Sequence, residues 1–307
     1  MNYPKNADRF MFLLMMFLIF IGNFVLLGIL KLFPNLLSTQ NIWIIQSIFS
    51  VICFISPIIL VLLIKKIKFK YIIPLKPLSL KNFFLIIFLS FTIQPMLQLI
   101  GAITNVFYKD EISDAIAVFA SLSLPKALFV SALVPAITEE LVFRGVILTG
   151  YKKTTVLIGI LMSSFYFGVM HFTISQLFYA IVGGIIFGYL VKVTKSIWSS
   201  ILMHFIFNGS QITIAHIAYK YTPNVNEQIL NATYTFKDLI YPLIYFLFTL
   251  PLLLLSIFLF IICNKREIRE LKEENNQIKN NIDSPKIFTL FFYINIIVYV
   301  VYMIIKK

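Results

Sequence analysis

Nine long apolar runs divide this chain of 307 residues, and they constrain its fold more than any other feature. Most of these runs approach or exceed the roughly 20 residues that a helix needs to cross the hydrocarbon core of a bilayer. Lipid offers no partner for backbone N–H and C=O groups, so each run must pair its own backbone as a helix. The sequence therefore predicts an all-α, polytopic transmembrane helical bundle of about nine spans. Their expected limits are residues 10–30, 41–64, 82–103, 127–149, 154–173, 176–194, 197–219, 239–263 and 287–305.

The composition excludes a soluble globular domain. Hydrophobic residues make up 60% of the chain and charged residues 13%, and the mean hydropathy is +0.92. A soluble domain has about twice that share of charge. The first apolar run follows Lys5 and Arg9 as a signal peptide would, but it is longer than a typical signal sequence and no small-residue cleavage site follows it. We therefore expect it to be a retained first span. Cys53 and Cys263 both lie in apolar runs and are interpreted as packing residues.

The distribution of positive charge predicts the orientation in the membrane. With the N-terminus in the cytoplasm, the inner segments carry 18 Lys and Arg residues and the outer segments carry 7. This excess predicts an N-in, C-out topology. The net charge of +13 is then explained by topology and by contact with anionic lipid of the bilayer, and nucleic-acid binding is not expected.

Three charged residues lie inside the fourth apolar run, in the stretch ITEELVFRG. A charge at membrane depth costs about 2.5–3.5 kcal/mol, so each needs a compensating role. Glu140 and Arg144 are four residues apart and share a helix face, which predicts a structural ion pair. Glu139 has Pro135 and Phe143 at the neighbouring turns and no charged partner. It is either a base for proton transfer or a hydrogen-bonding residue between helices. Pro135 frees a backbone carbonyl one turn earlier and is expected to kink the span.

Histidine and amide side chains occur in two further apolar runs. His171 ends the stretch FGVMH, and a lone histidine there is either a core residue or a catalyst. His204 and Asn208 are four residues apart in HFIFN and share a face. They are either hydrogen-bond donors to a developing oxyanion or polar contacts between helices. Taken with Glu139, these side chains form a candidate set of a base, its partner and two oxyanion donors.

Three motifs in this order resemble the CPBP family, which comprises the CAAX proteases and the bacteriocin-processing enzymes. The motifs are EELVFRG (139–145), FGVMH (167–171) and HFIFN (204–208), and they match the family pattern EExxxR, FxxxH and HxxxN. The resemblance covers roughly residues 125–216. It implies an intramembrane endopeptidase.

The resemblance also implies a role for each motif residue. Glu139 and His171 activate a water molecule, His204 and Asn208 stabilise the oxyanion, and Glu140 with Arg144 holds the site together. No cofactor is favoured, because no HExxH motif is present. Zinc held by Glu139, His171 and His204 remains the alternative.

The substrate expected from the resemblance is a membrane-anchored protein or peptide. Some family members cleave prenylated CAAX proteins, whereas bacterial members are implicated in peptide maturation and bacteriocin immunity. The Ile-, Lys-, Asn- and Phe-rich composition is typical of an AT-rich bacterial genome and favours the bacterial cytoplasmic membrane.

A non-catalytic immunity factor or scaffold is the alternative to an endopeptidase. A transporter is disfavoured, because no inverted repeat is seen.

The chain is expected to have three parts. They are an N-terminal three-span region, a protease-like core, and a C-terminal region with two spans and a charged helical linker at 264–286. The three parts comprise residues 1–124, 125–219 and 220–307.

Overall fold

A computed structural model describes residues 3–34, 38, 41–108, 113–222, 234–280 and 285–306 and confirms the all-α bundle. Within these ranges there is no β-strand, and one isolated antiparallel bridge joins Leu75 to Ser196. The helices, in chain order, are α1 (Pro4–Leu32), α2 (Ile42–Lys65), α3 (Leu80–Phe107), α4 (Ser113–Ala120), α5 (124–150), α6 (Val156–Val169), α7 (Ile174–Thr194), α8 (Trp198–Tyr221), α9 (Ile240–Cys263), α10 (Lys265–Lys279) and α11 (Leu290–Ile305).

Six of these helices, α1, α2, α3, α7, α8 and α9, are long and apolar enough to cross a membrane. The chain is therefore a multi-pass membrane protein, but the predicted count of nine spans is not confirmed. The predicted fifth and ninth spans form the shorter helices α6 and α11, with 14 and 16 residues. The fourth is helical throughout but carries three charges. The predicted linker at 264–286 begins with helix α10, and its residues 281–284 lie outside the described part of the chain.

Helix α5 alternates between α-helical and π-helical turns. Pro135 has no N–H, so it cannot donate to the carbonyl of Ser131 one turn earlier. A π-helical turn, Phe129–Leu133, lies directly before this proline. A second π-helical turn, Leu141–Ile147, contains Arg144. Such widened turns are frequent at functional sites, because they redirect side chains within a helix.

Glycines allow α6 and α7 to approach each other closely. A Cβ atom on Gly184 of α7 would lie 3.0 Å from the Cβ of Ser164 and 3.1 Å from the Nη2 of Arg144. A Cβ atom on Gly168 of α6 would lie 2.8 Å from the backbone oxygen of Leu177. Small residues serve this purpose in membrane helices, where close packing replaces the hydrophobic effect. The contact brings α6 and α7 against the charged turn of α5.

A fully buried carboxylate, Asp8, ties both ends of the chain to the middle. Its Oδ1 atom accepts hydrogen bonds from the hydroxyls of Tyr151 and, at 2.8 Å, Tyr166. Its Oδ2 atom accepts from Thr289 at 2.6 Å, and its backbone oxygen accepts from Asn295 at 3.0 Å. Helices α1 and α11 are thereby joined to the C-terminal end of α5 and to α6. None of the sequence motifs contains this residue.

We expect Asp8→Ala to lower the free energy of unfolding by roughly 2 kcal/mol, because it leaves buried hydroxyl donors without their charged acceptor. Thermal unfolding in detergent micelles measures the effect. Asp238→Ala is the matched control, because that carboxylate is exposed and caps a single turn through Thr235. Equal shifts in the two variants would contradict a structural role for Asp8.

Candidate active site

Glu140 on α5 is fully buried and joins two helices. Its Oε1 atom accepts a hydrogen bond from Arg144 Nη1 at 3.1 Å and another from His204 Nδ1 at 3.0 Å. The first partner is one turn along the same helix, and the second comes from α8. Glu140 therefore neutralises Arg144 and also orients an imidazole, and this second contact was not anticipated from spacing within one helix.

The buried guanidinium of Arg144 has three further contacts. Its Nη2 atom donates to the backbone oxygen of Gly184 at 3.1 Å. Its central carbon lies 4.5 Å from the ring centre of Phe167 and 5.1 Å from that of Phe187. Cation–π contacts of this kind stabilise a desolvated charge. These contacts offset part of the cost of burying the ion pair.

His204 is held with one nitrogen toward Glu139. Because a carboxylate only accepts hydrogen bonds, Nδ1 of His204 carries the hydrogen that it donates to Glu140. Its Nε2 atom lies 4.0 Å from Oε2 of Glu139. The ring stacks on Phe187, with 5.2 Å between ring centres. The side chain of Glu139 is 20% exposed and that of Glu140 is 0% exposed, so Glu139 is the carboxylate that solvent or substrate can reach.

His171 lies just beyond the end of α6. Its Nδ1 atom donates to the backbone oxygen of Phe167 at 2.7 Å, which leaves Nε2 available. The ring of Phe167 separates the two imidazoles, with its centre 5.0 Å from that of His171 and 5.7 Å from that of His204. His171 also interacts electrostatically with Glu139 and His204. The two imidazoles therefore lie on either side of Phe167.

Asn208 has a contact that the motif alone does not predict. Its Nδ2 atom donates to the backbone oxygen of Ser131 at 3.1 Å. This is the carbonyl that Pro135 leaves without its usual helical donor. One amide hydrogen of Asn208 therefore ties α8 to α5. The combination of a proline and the carbonyl four residues earlier was visible in the sequence.

No group of three or more His, Cys, Asp or Glu side chains is arranged to hold a metal ion in the part of the chain that the structure describes. The alternative zinc ligands were Glu139, His171 and His204. The Nδ1 atoms of both imidazoles are engaged, with Phe167 and with Glu140 respectively. Both bonds leave Nε2 of each imidazole available, as is usual for histidines that bind a metal.

The fold and the site define a multi-pass membrane protein in which a buried Glu140–Arg144 pair is hydrogen-bonded to His204. Residues 121–210 match the family model described as type II CAAX prenyl endopeptidase Rce1-like. This range contains all three motifs, and the match confirms the resemblance that they predicted.

A curated relative matches a similar length of sequence. It is a Bacillus subtilis (strain 168) protein named "Putative membrane peptidase YdiL", which is 34% identical over 87 residues. The match spans 28% of this chain and 36% of that relative, so it covers about a third of each. No solved structure gives a significant match to the chain.

Proposed function

We propose that this protein is an intramembrane endopeptidase of the CAAX-protease type. It hydrolyses a peptide bond in a membrane-anchored protein or peptide. The observation that carries the proposal is the 4.0 Å approach of His204 Nε2 to Glu139 Oε2, beside the fully buried pair of Glu140 and Arg144. These side chains belong to two of the motifs and lie within the matched segment.

In the first step, the Glu139 carboxylate takes a proton from a water molecule as the water oxygen attacks the peptide carbonyl carbon. A C–O bond forms, and the carbonyl electron pair moves to oxygen. His171 orients the water through its Nε2 atom, because its Nδ1 atom is engaged with Phe167. A positioned base contributes typically 10²–10⁴-fold to such a step. The partial exposure of Glu139 suits this role.

The negative oxygen that results requires hydrogen-bond donors. His204 donates from Nε2 only when its ring is protonated on both nitrogens, since Nδ1 is committed to Glu140. The second amide hydrogen of Asn208 is the other donor. Arg144 acts indirectly, because it holds the carboxylate that orients His204.

Collapse of the intermediate completes the reaction. The oxygen lone pair re-forms the carbonyl, the C–N bond breaks, and Glu139 returns its proton to the leaving nitrogen. The products are a new carboxyl terminus and a new amino terminus. The reaction consumes one water molecule and leaves every side chain in its starting state.

The proposed location is the bacterial cytoplasmic membrane. The Ile-, Lys-, Asn- and Phe-rich composition and the relative from Bacillus subtilis support it. A prenylated substrate is not expected in such a cell. The proposed substrate is therefore a peptide or a protein segment cleaved near the bilayer.

A comparison of released peptides tests the proposal. Cells producing the wild-type protein, Glu139→Gln or His171→Ala are compared by mass spectrometry of peptides, at equal membrane abundance of each protein. His216→Ala is the matched control, because this histidine bonds to the backbone oxygen of Ala120 outside the site. We expect a set of peptides from the wild type and the control only. The same peptides from all four proteins would instead favour a non-catalytic factor.

A further inference from the structure

A cavity of about 290 Å³ lies at one end of the bundle, and Glu139 is not among its lining residues. Its walls carry four lysines from separate parts of the chain. Lys70 precedes α3, Lys152 follows α5, and Lys192 and Lys195 lie at the end of α7. Glu274 of α10 is the acidic residue among the lining side chains. Positive charge therefore predominates in this cavity.

Hydrogen bonds fix the backbone around the cavity. The N–H of Ile197, at the start of α8, donates to the backbone oxygen of Pro74 at 2.8 Å. The hydroxyl of Thr149, near the end of α5, donates to the backbone oxygen of Ile72 at 2.8 Å. The connector that carries Lys70 is thus attached to two helices. The lysines are arranged around the cavity by tertiary structure and are not merely neighbours in sequence.

The carboxylates nearby compensate only part of this charge. Lys195 pairs with Glu270 at 2.9 Å, and Lys192 interacts electrostatically with Glu274 and Lys152. Among the described residues, no carboxylate lies within salt-bridge distance of Lys70 or Lys152. An anion in the cavity would therefore meet at least two amines that have no acidic partner.

The cavity reaches inward to Arg144. This residue is 1% exposed, it lines the cavity, and its Nε–H has no hydrogen-bond partner in the described structure. A buried donor without a partner costs free energy unless an acceptor reaches it. Arg144 is therefore a fifth basic residue in the lining of the cavity.

We propose that this cavity binds the phosphate group of an anionic phospholipid. Its volume equals that of roughly ten water molecules at about 30 Å³ each, which accommodates a phosphate headgroup. The segments that carry the lysines and Glu274 are the ones that the charge distribution places on the cytoplasmic side, where anionic lipid is concentrated. Tyr71 also lines the cavity and is 68% exposed, as is typical of an aromatic residue at a membrane interface.

This site does not depend on the proposed protease activity. The test uses the full-length protein in detergent, with native mass spectrometry to measure retention of phosphatidylglycerol and, as the neutral reference, phosphatidylcholine. We expect Lys70→Gln/Lys152→Gln to weaken phosphatidylglycerol binding at least tenfold, since each lysine near an anionic lipid contributes about 1 kcal/mol. The control Lys65→Gln/Lys68→Gln removes two exposed lysines near the cavity that do not line it, and should bind as the wild type does.

Two further measurements identify the source of the phosphate and exclude a folding artefact. Inorganic phosphate at millimolar concentration should not displace the lipid, and displacement would reassign the cavity to a soluble phosphate. Lys70→Arg/Lys152→Arg should retain binding, because arginine keeps the charge. Equal weakening in the glutamine double variant and in the control would overturn the proposal. So would equal retention of the two lipids by the wild type.

Discussion

Arg144→Met is expected to lower the free energy of unfolding by about 3–5 kcal/mol. The variant removes one partner of a fully buried ion pair and leaves Glu140 charged in an apolar interior. It also removes the donor to Gly184 and the cation that lies between Phe167 and Phe187. His204 still donates to Glu140, but one hydrogen bond does not replace the lost charge. Thermal unfolding in detergent micelles is the measurement.

The chain contains a matched control for this prediction. Arg266 and Glu270 are also four residues apart on a helix and also 3.1 Å apart, but the arginine side chain is 88% exposed. Exposed pairs contribute little to stability, so Arg266→Met should leave the unfolding temperature nearly unchanged. Glu140→Gln/Arg144→Met should recover part of the loss, because it removes the uncompensated charge. Equal shifts in the two single variants would contradict the buried-pair interpretation.

Sequence periodicity was sufficient for the helices and for contacts within one helix. Apolar runs determine where a backbone in lipid must be helical, so the all-α bundle followed directly from them. A spacing of four residues placed Glu140 beside Arg144, as the structure has them. The same spacing placed His204 and Asn208 on one helix, but it gave no information about what either residue faces. The absolute number of spans was less certain, because α6 and α11 are shorter than their apolar runs.

Contacts between helices could not be predicted from one sequence. The bond from His204 to Glu140 joins residues 64 positions apart, and the bond from Arg144 to Gly184 joins residues 40 apart. Asp8 belongs to none of the sequence motifs, yet it is the buried acceptor for Thr289, 281 positions away. Helical periodicity describes one helix at a time, so the arrangement of several helices around one group requires the tertiary structure.

The Ser131–Asn208 contact could be predicted from the sequence only in part. The proline identified the free carbonyl of Ser131, and the motif identified the amide of Asn208. Only the packing of α8 against α5 showed that the amide donates to that carbonyl. This contact also qualifies the expected role of Asn208. A variant at this position changes both a link between helices and a proposed oxyanion donor, so it cannot separate the two roles. His204 also joins α8 to α5 through Glu140, so its proposed role is tested by a rate measured per folded molecule.

His204→Ala is expected to lower kcat roughly 100- to 1,000-fold, with a much smaller change in KM. The imidazole is the group that presents a nitrogen toward Glu139, at 4.0 Å, and Glu140 and Phe187 fix its orientation. A donor to the developing oxyanion stabilises the transition state more than the substrate complex. Its loss therefore lowers mainly kcat. The measurement is the rate of cleavage of a peptide identified by the comparison of released peptides.

The variant also leaves a space beside Phe187, so loss of folded protein must be separated from loss of chemistry. Rates are therefore normalised to the folded fraction, and His216→Ala serves as the histidine control that should keep its full rate. A purely structural role for His204 predicts a lower unfolding temperature with a normal rate per folded molecule. The proposed role predicts a lower rate per folded molecule, because the scaffold formed by Glu140 and Arg144 persists when the imidazole is removed. A normal kcat in folded His204→Ala would remove the oxyanion donor from the mechanism and leave Glu139 and His171 to account for the reaction.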